Sequence, residues 1–118
     1  MIKERVFTLF YQSNEITTMK DLNFYRKTID EIDHKIISLI SERLDLCREI
    51  AVYKHQENIP MMQPERVEQV KTNRKILAKE LNINPSLIEQ IYTLMIGECC
   101  CIEDEIINQL ENAKTQDV

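Results

Sequence analysis

The chain has 118 residues, of which 43% are hydrophobic, 30% are charged and only one is glycine; this favours one folded, helix-rich domain over a disordered chain or a turn-rich β-protein. A formal net charge of −5 argues against nucleic-acid binding, which usually requires a basic face. No apolar run approaches the roughly 18 residues of a membrane span, and the N-terminus lacks the features of a secretory signal, so we expect a cytoplasmic protein.

The first predicted element is a long helix from Asp21 to about Glu57, a stretch without Pro or Gly. Thr18 and Asp21 resemble a capping pair at its start. Its apolar residues recur at helical spacing along one face: Ile29, Ile32, Ile36, Ile40, Cys47 and Ile50. At about 35 residues the helix is roughly 52 Å long, whereas a compact domain of about 100 residues has a radius of gyration near 13 Å. Another chain must cover this face, which predicts an intertwined homodimer.

Two further helices follow, each after a proline-containing interruption. The sequence ENIPMMQP ends the first helix, and its last proline opens a second helix over about 64–81. NINPS is the next interruption, and a third helix runs over about 85–112. The predicted architecture is all-α and has three parts: an N-terminal arm at 1–19, a helical domain at 20–112 and a C-terminal tail at 113–118.

Charged residues lie on the apolar faces of the first and third helices. Arg43 and Lys54 are eleven residues apart and project within about 20° of each other. Glu103 lies within about 60° of the apolar stripe of the third helix. Buried charges are rare unless paired, so these residues either pair with each other for stability or line a cavity that binds an anion.

The connector between the first two helices favours the anion-binding alternative. Pro60 and Pro64 fix its path, and Arg66 lies in the first turn of the second helix, where the helix N-terminus already attracts anions. An arginine at this place can bind a carboxylate through two parallel hydrogen bonds. Together with Arg43, Lys54 and the upstream Arg26, it forms a set suited to a small dicarboxylate.

The four cysteines are Cys47 and the run at 99–101. They lack the C-x-x-C spacing typical of metal sites, and three adjacent residues of a helix point in three directions. We expect reduced, half-buried side chains, with no metal site and no disulfide framework.

This frame of residues resembles the all-helical chorismate mutases of type II. Arg26, IDEID at 29–33, Arg43, Lys54, Pro60 and Arg66 match the pattern of that family without gaps, and Glu103 stands where the family places a Gln or Glu. The resemblance covers about residues 20–110. It implies an intertwined dimer of three-helix chains and an isomerase that converts chorismate to prephenate by a Claisen rearrangement.

The resemblance also implies roles for the charged residues. Arg43 and Arg66, with Arg26 from the partner chain, would bind the two carboxylates of the substrate. Lys54 and Glu103 would donate hydrogen bonds to its ether oxygen. Such a reaction needs a compact reactive conformer and stabilisation of developing charge, but no metal and no cofactor.

Three other positions bear on the substrate. Cys99 stands where family members often have a serine near the ring carboxylate, and Gln63 lies where the connector contacts the ring substituent. In many family members a Glu directly after the arginine of the second helix forms a hydrogen bond with that substituent. In this chain the corresponding residue is Val67.

Val67 leaves several alternatives open. The sequence PERV also resembles isochorismate-pyruvate lyases, which use the same fold, and IPMMQPERV with EDEII resembles 4-amino-4-deoxychorismate mutases. The sequence favours a mutase over a lyase but does not separate chorismate from its 4-amino analogue. The alternative from another class is a non-catalytic helical dimer that binds a small carboxylate.

Overall fold

The computed structural model describes residues 20–116, and three α-helices account for most of them. Helix α1 spans Leu22–Gln56, α2 spans Pro64–Glu80 and α3 spans Pro85–Gln116. The described part of the chain contains no strand, so the all-α prediction is confirmed. The predicted arm at 1–19, with Thr18, and the last two residues of the predicted tail lie outside the described residues.

Short polar residues and prolines set the ends of the helices. The Asp21 carboxylate accepts a hydrogen bond of 2.8 Å from an amide in the first turn of α1, which makes it the N-cap. Pro64 and Pro85 are the first residues of α2 and α3, where no amide hydrogen is needed. Asn58 and Asn82 follow α1 and α2 with φ values of 56° and 58°, a left-handed conformation that ends helices and that Asn tolerates.

The chain divides into two compact units, one ending at Ile40 and the other beginning at Ser41. The described residues of the first unit form the N-terminal part of α1. Most of its large apolar side chains are exposed, including Ile29 at 55% and Ile36 at 49%, whereas Ile40 is half-buried. The apolar stripe for which the sequence requires a second chain is therefore exposed in this unit.

The second unit holds the buried residues of the described chain, and most of them are small. The buried apolar residues come from all three helices: Cys47, Ala51, Val70, Ala78 and Cys99. Helix α2 packs along α3, and small side chains allow the helix backbones to approach closely. Among residues 20–116, none of the helices combines the length and hydrophobicity that crossing a membrane requires.

A disulfide joins Cys47 of α1 to Cys99 of α3, and the expectation of reduced side chains is wrong for this pair. The two Cα atoms are 5.8 Å apart, within the range that a disulfide spans. Cys100 and Cys101 are free thiols. The spacing of residues along one helix gives no information on which residue faces it from another, so the sequence pattern did not reveal the bond.

Candidate active site

A cavity of about 500 Å³ lies between the three helices of the second unit. Seven of the eight residues predicted for the site line it: Arg43, Lys54, Gln63, Arg66, Val67, Cys99 and Glu103. The eighth, Arg26, is an exposed residue of the first unit and is not among the lining residues.

The wall contributed by α1 follows the helical repeat. Arg43, Cys47, Ile50 and Lys54 are spaced by four, three and four residues, so they share one side of the helix, and all four line the cavity. Ile50 remains 44% exposed, since it borders the cavity and not a packed core. In this unit the apolar stripe of the sequence marks a cavity wall that carries two cations.

Lys54, Met61 and Glu103 form the first charged region of the cavity, here called the lysine cluster. The Lys54 ammonium donates hydrogen bonds to the Met61 carbonyl at 2.8 Å and to Glu103 Oε1 at 3.2 Å. The Lys54 and Glu103 side chains are only 16% and 8% exposed, and each compensates the charge of the other. Partners on the connector and on α3 thus fix the ammonium in place.

The connector is held in shape by its own side chain. Gln63 Nε2 donates a hydrogen bond of 2.9 Å to the Pro60 carbonyl, across the segment that carries Met61. Gln63 directly precedes α2 but does not cap it through its side chain. Its amide is therefore used to fix the connector that positions the carbonyl partner of Lys54.

Arg43, Arg66 and Arg74 form the second charged region, here called the arginine group. Arg43 donates to the Cys99 sulfur at 3.1 Å, and Arg66 donates to the Gln69 side-chain oxygen at 2.7 Å. Both acceptors are neutral, and a sulfur is a weak acceptor. Within residues 20–116 no arginine of this group forms an ion pair with a carboxylate.

Arg74 is a lining residue that the sequence interpretation missed. It follows Val67 by seven and Val70 by four residues, and all three line the cavity. The same helical spacing that identified Arg43 and Lys54 on α1 would have identified Arg74 on α2. The short α2 has no long apolar run to draw attention to that face.

The cysteines of α3 differ in their chemistry. Cys99 lines the cavity, but its sulfur is bonded to Cys47, so it has no thiol proton to donate to a ligand. Cys100 is a half-buried free thiol that also lines the cavity. Burial raises the pKa of the Cys100 thiol, the negative charge of Glu103 acts in the same direction, and the Lys54 ammonium opposes both. The Cys100 thiol is therefore neutral near pH 7.

This arrangement is suited to binding and polarising an anion. Four cations and one carboxylate line the cavity, and within residues 20–116 none of the three arginines has a carboxylate partner. In a partly buried site such cations interact with an anion more strongly than they would in water. No group of three or more His, Cys, Asp or Glu side chains that could hold a metal ion occurs among the described residues.

Residues 25–104 match the family described as chorismate mutase type II. The chain is 36% identical to a 4-amino-4-deoxychorismate mutase of Streptomyces pristinaespiralis over 86 residues, which are 73% of this chain and 67% of that protein. It is 33% identical to a chorismate mutase of Methanocaldococcus jannaschii over 87 residues, 74% of this chain and 88% of that one. A 4-amino-4-deoxychorismate mutase of Streptomyces venezuelae is 31% identical over 94 residues, with coverages of 80% and 91%.

Proposed function

The chain belongs to the chorismate mutase type II family, and we propose that it rearranges chorismate to prephenate, or 4-amino-4-deoxychorismate to its 4-amino prephenate analogue. The isomerase class follows from the family. The choice of substrate and the roles of the residues below are our proposal.

The arginine group is the observation that carries the proposal. A guanidinium without a carboxylate partner in a partly buried cavity is unfavourable until an anion arrives. Both candidate substrates carry two carboxylates, and an arginine binds a carboxylate through two parallel hydrogen bonds. Arg43 and Arg66 would bind these groups and hold the substrate in its compact reactive conformer.

The lysine cluster would supply the chemical assistance. During the rearrangement the carbon–oxygen bond of the ether breaks while a carbon–carbon bond forms, and negative charge develops on the ether oxygen. Lys54 Nζ, already fixed by Met61 and Glu103, would donate a hydrogen bond to that oxygen. A donor that is preorganised in a cavity can stabilise this charge without reorganisation.

Glu103 has a role that depends on its protonation. In the free protein its Oε1 accepts a hydrogen bond from Lys54. An ether oxygen can only accept hydrogen bonds, so Glu103 would assist the reaction by donating, which requires the protonated carboxyl group. A carboxylate facing the ether oxygen would repel the developing charge.

A homodimer completes the proposed site. The exposed isoleucines of the first unit form an apolar face that a second copy would cover. In such a dimer Arg26 of the partner subunit would bind substrate beside Arg43 and Arg66. Sedimentation should give twice the mass of a 14.0 kDa chain, and a monomer at micromolar concentration would contradict this part of the proposal.

The proposed function is tested by incubating the protein separately with chorismate, 4-amino-4-deoxychorismate and isochorismate. Loss of the diene absorbance with formation of a prephenate-type product is expected for one of the first two. The 4-amino analogue is the first to test, because two of the relatives described above are 4-amino-4-deoxychorismate mutases. Salicylate and pyruvate from isochorismate would establish the lyase instead, and no turnover of any of the three would favour a non-catalytic binding protein.

A further inference from the structure

We propose that Arg74 is a further substrate-binding residue, which binds a substrate carboxylate together with Arg43. The inference rests on the proposed function, because it assigns a ligand group to a cation of the same cavity. It concerns a residue on the second half of α2, beyond the arginine in its first turn.

The first observation is that Arg43 and Arg74 converge on one aromatic ring. The guanidinium carbon of Arg74 lies 5.7 Å from the centroid of the Tyr92 ring, and that of Arg43 lies 5.8 Å from the same centroid. The arginines come from α1 and α2, and the tyrosine comes from α3. The electron-rich ring attracts both cations, and both arginine side chains also line the cavity.

The second observation is that no carboxylate of the described residues neutralises these two positive charges. A cation–π contact is weaker than an ion pair with a carboxylate, and two like charges held near one ring repel each other. Among residues 20–116, neither arginine has a carboxylate within ion-pair distance. A substrate carboxylate bound by both arginines would offset this repulsion and accept hydrogen bonds from both guanidinium groups.

The neighbouring residue shows that α3 does offer a carboxylate to α2. Lys75 Nζ pairs with Glu89 Oε2 at 3.3 Å, and both side chains are well exposed. Arg74, one position earlier, lines the cavity and takes no part in this pair. Lys75 is thus neutralised within the chain, whereas Arg74, which lines the cavity, has no carboxylate partner among residues 20–116.

Arg74 would bind substrate from the same chain as Arg43 and Arg66, and not from a partner subunit. Arg26 would bind substrate only from a partner subunit, whereas Arg74 lies in the same unit as Arg43 and Arg66. Each chain therefore brings three guanidinium groups to its own cavity. Arg74 would then bind substrate from within the same chain, and Arg26 of the partner subunit would complete the site.

Arg74→Ala and Arg74→Gln test the proposal, with Arg48→Ala as the matched control. Arg48 is an exposed arginine of α1 that pairs with Asp45 at 2.7 Å and does not line the cavity. Loss of a charge-assisted contact should lower kcat/KM by about 10- to 100-fold, mainly through a higher KM. The control should stay within about twofold of the wild type, since exposed ion pairs contribute little.

Two rescue measurements separate substrate binding from a structural role. Arg74→Lys keeps a positive charge but not the planar fork, so it should recover only part of the affinity. Guanidinium ion added to Arg74→Ala should lower KM again, which a merely structural defect would not allow. The Gln variant keeps a planar side chain over Tyr92 and serves if the Ala variant does not fold.

An unchanged KM in a folded Arg74→Gln variant would overturn the inference while leaving the proposed function intact. If the wild type turns over neither candidate substrate, the proposed function fails, and the inference is then decided by calorimetry with chorismate. Weaker chorismate binding to Arg74→Gln than to Arg48→Ala would still support it, and equal or absent binding would overturn it.

Discussion

The lysine cluster and the arginine group differ in how their charges are satisfied before a ligand arrives. Lys54 has a carbonyl and a carboxylate as partners at 2.8 and 3.2 Å. Among the described residues, the partners of the arginines are a sulfur, an amide oxygen and an aromatic ring. The charge of Lys54 is paired with a carboxylate in the free protein, whereas the arginines have no carboxylate partner within residues 20–116. We infer that the first is preorganised for chemistry and the second for binding.

The largest expected effect comes from breaking the lysine cluster. Lys54→Ala removes the proposed donor to the ether oxygen and should lower kcat by about 10²- to 10³-fold, with a smaller change in KM. It also leaves Glu103 buried without its cation, so the melting temperature should fall. Initial rates and thermal unfolding followed by circular dichroism measure both. Near-full activity would mean that the lysine cluster is purely structural.

Substitutions in the arginine group should lower activity without lowering stability. Arg43→Ala and Arg66→Ala should each lower kcat/KM by about 10- to 100-fold. Arg66→Ala should leave the melting temperature unchanged or slightly raised, because it removes a cation that has no carboxylate partner in the described part of the chain. Replacement by Lys should not restore activity, since the two-pronged geometry is lost. If Arg66→Ala lowered the melting temperature as much as Lys54→Ala does, the proposed difference in charge pairing between the two regions would be contradicted.

Glu103→Gln tests the protonation requirement within the lysine cluster. A carboxyl group donates a hydrogen bond only while it is protonated, so the wild-type rate should be higher in acidic than in alkaline solution. The Gln amide donates at every pH, so the variant should give a flatter profile and remain active at neutral pH. Profiles of the same shape for both proteins would refute the donor role of Glu103.

The smallest expected effect is on the alkylation rate of Cys100, which depends on the charges of the lysine cluster. Burial and the Glu103 charge raise the pKa of this thiol, while Lys54 opposes them. Glu103→Gln should therefore lower that pKa, enlarge the thiolate fraction and speed alkylation a few-fold, whereas Lys54→Ala should slow it. Mass spectrometry after iodoacetamide treatment measures the rate, with exposed Cys101 as the internal reference. Shifts of equal sign in both variants would contradict this electrostatic assignment.

The parts of the molecule that were predictable from sequence depend on local rules. Prolines interrupt helices or begin them, so the three helices were placed within a few residues. Helix α3 runs past the predicted end at Asn112 to Gln116, because no helix-breaking residue lies between them. The common face of Arg43 and Lys54 followed from helical periodicity alone.

The rest depends on contacts between helices, which periodicity does not contain. The Cys47–Cys99 bond and the Lys54–Met61 hydrogen bond require the arrangement of the folded chain. Arg74 was missed for a different reason, since its spacing from Val67 is readable in the sequence but the short α2 has no long apolar run that marks one face. The missed residue is thus a gap in interpretation, whereas the missed disulfide reflects information that a single helix does not carry.

The disulfide gives the polypeptide a covalent topology of its own. Bonding two residues that are 52 positions apart turns the segment that contains α2 and both connectors into a closed ring with two tails. Arg43 and Glu103 are each four residues outside this ring, one on either tail, while Lys54, Arg66 and Arg74 lie inside it. Closing a ring of this size restricts the unfolded chain by about 4 kcal/mol. A protease that cuts only at the Asn82 turn should therefore release two fragments only after reduction.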